Sequence, residues 1–279
     1  MAERMINILV TITLIAMMVS IGLGVTFADL AKLARDWLLI GRAAVANYVI
    51  VPAATVALLL LFKPHPMVAT GFLILAFCPG APFSPACVKI AKGDMTAAVG
   101  WMVILAGSSA ILAPLLLHFH LPLISSSETL KVDALKIVTS LLITQLLPLL
   151  VGLAIRRWRR AWAEKTQKPM NRISAALSLL TVAAILLVHY PLLLEIRLRG
   201  YLAMTILLVA SWAVGWLLGG PTRELRKSLA LTSSLRNVGV GLVIATASFP
   251  GTAALTSVLA YGIFEIFGSL ILAFWWSRR

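Results

Sequence analysis

Apolar residues run along this chain in long blocks, parted by short stretches rich in charge, proline or glycine. The blocks predict helices near residues 5–28, 38–62, 67–88, 95–117, 134–155, 171–189, 201–218, 228–248 and 254–276. A hydrocarbon core about 30 Å thick takes roughly 20 apolar residues of helix to cross. The pattern therefore predicts an all-α polytopic membrane protein with nine transmembrane helices and one transmembrane domain, residues 1–279. Composition sharpens the picture. With 61% hydrophobic and 12% charged residues, too little polar surface remains to face water on every side.

A net charge of +14 would suit a nucleic-acid binder, but the cations sit between the apolar blocks, so the expected partner is the lipid bilayer and not nucleic acid. Sixteen of them fall in alternate loops: Lys32, Arg35, Lys89, Lys92, Arg156, Arg157, Arg159, Arg160, Lys165, Lys168, Arg172, Arg223, Arg226, Lys227, Arg278 and Arg279. The other side holds six, Arg4, Lys63, Lys131, Lys136, Arg197 and Arg199. Basic loops stay cytoplasmic, which places the N-terminus outside and the C-terminus inside, in a bacterial inner membrane. The run from Met5 to Ala28 exceeds the apolar core of a signal peptide, about 7–15 residues, and reads as the first span. Ser125 and Glu128 form a capping box for the fifth helix. Cys78 and Cys87 lie within the membrane, where neither a disulfide nor a metal site is expected, and His118 and His120 read as an exterior loop.

Two blocks are interrupted. Residues 77–85 carry Pro79, Gly80, Pro82 and Pro85, and three prolines remove three backbone donors from one helix. Residues 232–241 carry Thr232, Arg236, Asn237, Gly239 and Gly241 inside an apolar run. Arginine at mid-membrane costs about 2.5–3.5 kcal/mol and so faces a cavity or a partner. Arg236 lies nine residues, about 13 Å, from Lys227, too deep for easy escape to the interface. Arg42, one to two turns inside its span, reaches the interface. Glu265 shares a spacing of four with Ser257, Tyr261 and Ser269, one helix face, and suits a pairing with Arg236. The breaks fall at corresponding places in two halves, 1–120 with four helices and 130–279 with five. This predicts an inverted-repeat transporter whose two broken helices cross at the binding site.

These residues resemble the bile acid:sodium symporter family. Ser20 to Thr26 followed by Asp29 is similar to that family's first conserved stretch. Cys78-Pro79-Gly80-Ala81 resembles its C-P-G-G signature, Lys92-Gly93-Asp94 its A-[KR]-G-[DN] turn, and Asn237 and Gly239 remain from its second break. The resemblance implies a nine-helix form with core and panel domains. It further implies a sodium site, here at Asn47, Ser84, Ser108, Ser109, Thr232 and Arg236; the substrate contacts expected between the breaks are Arg236, Asn237, Tyr261 and Ser84, with Glu265 as counter-ion or proton site. The Glu and Gln expected at the second break are replaced by Thr232 and Arg236, and Pro85 stands where an Asn is expected. A guanidinium about 4 Å from sodium repels it by about 4 kcal/mol at an effective dielectric near 20. The expectation is thus alternating-access transport of a small organic anion with a degraded sodium site. Coupling falls to protons at Glu265 or to nothing, and no other cofactor is implied. An efflux permease for an oxyanion such as arsenite is the alternative, with a non-transporting sensor or embedded enzyme as the reading from another class. No nucleophile elbow or phosphate loop favours an enzyme.

Overall fold

The computed structural model describes residues 2–26, 28, 31, 35–124, 134–194, 196 and 198–278. Asp29, Lys32, the Ser125–Glu128 cap, Lys131, Arg197 and Arg279 lie outside the described residues. The described elements are helical: α1 (Ala2–Gly24), α2 (Trp37–Val45), α3 (Val51–Phe62), α4 (Pro66–Ala76), α5 (Ser84–Ile90), α6 (Met95–Ile124), α7 (Ala134–Leu141), α8 (Leu147–Trp158), α9 (Arg160–Leu194), α10 (Leu198–Leu218), α11 (Arg223–Ser234), α12 (Val238–Ser248) and α13 (Ala253–Ser277). Among the described residues, six stretches have the length and apolarity to cross a membrane: Arg4–Gly24, Trp37–Phe62, Met95–Pro122, Ile137–Trp158, Leu198–Leu218 and Ala253–Ser277. The shorter apolar helices α4 and α12 belong to the two interrupted segments.

Two spans bend without leaving helical geometry. Single π-helical turns at Ala46–Ile50 and Leu142–Leu146 join α2 to α3 and α7 to α8. Their cause is local. Pro52 and Pro148 follow one residue later and have no N–H to return to the preceding turn. The amides of Val51 and Leu147 instead reach back five residues, to the carbonyls of Ala46 and Leu142.

Several expected boundaries move. His118 and His120 lie inside α6, not in an exterior loop, and the Nδ1 of His120 is 2.8 Å from the Leu116 carbonyl oxygen. The cationic run 160–172 is the opening of the 35-residue α9, not a loop. Pro85 sits in the first turn of α5, where its missing N–H would be unpaired in any case. Gly239 and Gly241 lie inside α12; the second break is the three residues Leu235, Arg236 and Asn237.

The helices pack as two groups. α1 lies along α8 and α9. A Cβ added to Gly22 would stand 2.8 Å from Gly152 Cα, and one added to Gly152 would stand 2.5 Å from the Val19 oxygen, so glycine alone permits this contact. Ser20 bonds to Asn171, and Thr13 Oγ1 lies 2.7 Å from Thr181 Oγ1. The other group gathers α4, α5, α6 and α10 to α13. There Lys227 Nζ donates to the carbonyls of Ala91 (2.8 Å) and Trp276 (3.5 Å), one cation at two helix C-termini.

Candidate functional site

The two breaks meet. Pro79 and Arg236 form an antiparallel bridge, and the Asn237 amide donates to the Cys78 carbonyl at 2.7 Å. Asn237 Nδ2 reaches the Gly80 oxygen at 3.5 Å, while its Oδ1 accepts from the Val240 N–H at 3.2 Å and so caps α12. Gly80 has φ +87°, and a Cβ there would stand 2.4 Å from the Ala106 nitrogen, so the first break needs glycine for both conformation and space.

Arg236 is 3% exposed, so the guanidinium stays inside the protein. Its backbone N–H donates to Glu265 Oε1 at 2.6 Å, and its Nη1 donates to the Ala76 carbonyl at 3.4 Å. The expected ion pair takes a different form: the Glu265 carboxyl binds the arginine's main chain, freeing the side chain to turn to the end of α4. Nη2 of Arg236 and Oε2 of Glu265 are buried without a hydrogen-bond partner. Such groups are uncommon in native interiors, because a lost partner costs about 1–3 kcal/mol.

The face of α13 carrying Ser257, Tyr261, Glu265 and Ser269 is buried, with Ser269 Oγ 3.0 Å from Ser234 Oγ and the Tyr261 ring 5.4 Å from that of Phe72. Asn47 comes to the second break: its Nδ2 donates to the Ala43 oxygen at 2.9 Å and to Ser233 Oγ at 3.0 Å. Its Oδ1 and Thr232 Oγ1 are buried and unpartnered.

Other candidates turn elsewhere. Ser84 Oγ donates to the Ala81 carbonyl at 3.0 Å. Ser108 Oγ lies 2.7 Å from Tyr48 Oη, and Ser109 Oγ donates to the Ala106 carbonyl at 2.8 Å. Gln145, an amide inside the apolar run 141–150, was overlooked in the pattern; it is buried and donates to the Ala106 oxygen and, at 3.2 Å, to Ser109 Oγ. The carbonyls of Ala76, Cys78 and Gly80 have no signature in side-chain chemistry. Cys78 and Cys87 are buried and free. A cavity of about 150 Å³ lies away from the crossing, lined by Thr55, Leu58, Phe62, Phe72, Arg199 and Leu207 among others. The buried charge sits at the crossing, whereas this hollow is largely apolar.

Long apolar helices and two interrupted ones, joined at a buried guanidinium, mark a multi-pass integral membrane protein. The chain belongs to the Sodium Bile acid symporter family, whose model matches residues 11–196. It is 24% identical over 277 residues to an uncharacterized sodium-dependent transporter, YocS, of Bacillus subtilis (strain 168), covering 97% of this chain and 83% of that one. It is 23% identical over 274 residues to a probable chloroplastic sodium/metabolite cotransporter, BASS2, of Oryza sativa subsp. japonica, covering 97% of this chain and 64% of that one.

Proposed function

We propose that this protein is a secondary transporter of a small organic anion that works by alternating access. The proposal takes residues 1–120 and 130–279 as inverted repeats forming nine crossings in core and panel domains, with the N-terminus outside. The observation that carries it is the guanidinium of Arg236, enclosed at the contact of the two breaks with Nη2 unpartnered. An arginine is charged at any ordinary pH and offers planar donors that match a carboxylate. The anion takes Nη2, and Asn237, Tyr261 and Glu265 border it, while Ser84, bonded to the Ala81 carbonyl, stands apart.

Family membership and the relatives' printed names support sodium as the coupling ion. Asn47 Oδ1 and Thr232 Oγ1, buried oxygens without donors, are the ligands we assign to it; Ser108 and Ser109, on α6, donate instead to the carbonyls of Leu105 and Ala106. A second reading rests on the placement of the guanidinium at the break itself: Arg236 supplies the positive charge and Glu265 carries a proton. Uptake by proteoliposomes separates the two. Accumulation driven by a sodium gradient alone supports the first reading. Accumulation without sodium, driven by a pH gradient, selects the second. Undiminished transport by Arg236→Ala removes both.

A further inference from the structure

The opening of α9 is longer than a membrane crossing requires. Its 35 residues span about 52 Å, against a hydrocarbon core of about 30 Å. The excess coincides with charge: residues 156–172 hold seven cations and one acid, Glu164. Glu164 is spoken for. Arg160 Nε donates to it at 2.9 Å and Arg156 Nη1 stands 3.4 Å away. The Arg160 hydrogen bond, with the charge of both arginines, holds this carboxyl below its ordinary range.

Arg157, Arg159, Lys165, Lys168 and Arg172 are exposed, and none has an ion pair among the described residues. Lys165, Lys168 and Arg172 follow a three-then-four spacing that sets them on one side of the helix. Trp158 and Trp162, 78% and 54% exposed, stand beside the cations. Tryptophan with arginine and lysine is the pairing that settles at the headgroup level of a bilayer. The platform is also firmly built. Ala163 is buried, the Gln167 side chain packs on Gly24 at the end of α1, and Asn171 is bonded to Ser20.

We infer that the α8–α9 corner is a binding ledge for anionic phospholipid headgroups, with Lys165, Lys168, Arg172, Arg157 and Arg159 holding phosphate and Trp158 and Trp162 lying among the headgroups. Orientation of a nascent chain needs only the number of cations. A lipid ledge needs them unpaired, fixed and flanked by interfacial aromatics, as they are here.

The test uses the purified full chain in detergent, where orientation in a bilayer plays no part. Phosphatidylglycerol, phosphatidylcholine and inorganic phosphate are added separately. The unfolding midpoint and the lipid retained in native mass spectra are read. Phosphatidylglycerol should be retained and should raise the midpoint, and the gain should vanish in about 0.5 M salt, where the Debye length shrinks to roughly 4 Å. Lys165→Gln, Lys168→Gln and Arg172→Gln should each weaken retention about fivefold. Equal retention of both lipids, a full effect from inorganic phosphate alone, or a salt-independent gain in the unaltered chain overturns the assignment. Preference for an acidic peptide over phosphatidylglycerol also overturns it, giving the ledge to a protein partner.

Discussion

The two interruptions reach the same end by opposite means. The first is written into its own backbone: Pro79 and Pro82 lack the donors a helix needs, and Gly80 turns at φ +87°. The second, Leu235 to Asn237, contains no proline and is opened by its neighbours. Glu265 takes the Arg236 N–H, Cys78 takes the Asn237 N–H, and Asn237 uses its side chain to start α12. One break would persist as a local feature of its segment. The other depends on tertiary partners, and those partners are candidates for substrate and ion contacts. The buried charge therefore sits on the break that depends on its surroundings.

Substitutions can separate the two. Arg236→Ala should have the largest effect on activity, lowering proteoliposome uptake at least about 30-fold, as expected when one partner of a buried charged contact is cut away. Because it leaves Glu265 bonded to a main-chain N–H, the variant should still purify folded, as size-exclusion chromatography checks. Gly80→Ala attacks the intrinsic break, and a Cβ 2.4 Å from the Ala106 nitrogen should cost about 3 kcal/mol or more, read as a lower unfolding midpoint or failed insertion. Glu265→Gln keeps an acceptor for the Arg236 N–H but cannot release a proton. If sodium is the coupling ion, uptake should keep its sodium dependence within about threefold. If Glu265 carries a proton, coupling to the pH gradient should disappear. Asn237→Ala should cost about 1 kcal/mol of stability through the lost cap, with a larger loss of transport than of midpoint. Pro82→Ala should change stability by less than about 1 kcal/mol, since Gly80 and Pro79 still hold the first break open.

How far the chain could be read in advance follows the same division. The proline-rich break and the inward face of α13 were visible, because missing donors and a spacing of four are properties of the segment itself. Gly239 and Gly241 misled: in a polar stretch they looked like breakers, yet they lie inside α12, where Gly241 leaves room for Leu75. The Arg236–Glu265 contact was visible as proximity but not as form, since no side-chain pattern announces that a carboxyl will choose a main-chain N–H. The length of α9 was hidden because Arg, Lys and Glu are good helix formers that hydropathy counts as loop. The π turns escaped because one proline can kink, cap or widen a helix, and the residue alone does not say which.

The meeting of Gly22 and Gly152 has a wider meaning for motion. With no side chain between them, α1 and α8 meet backbone to backbone at this point, a contact that resists relative shift more than one spaced by long side chains. Leu14 against Gly239 and Gln145 against Ser109, by contrast, meet through longer side chains. A methyl group at either glycine would pry the pair apart.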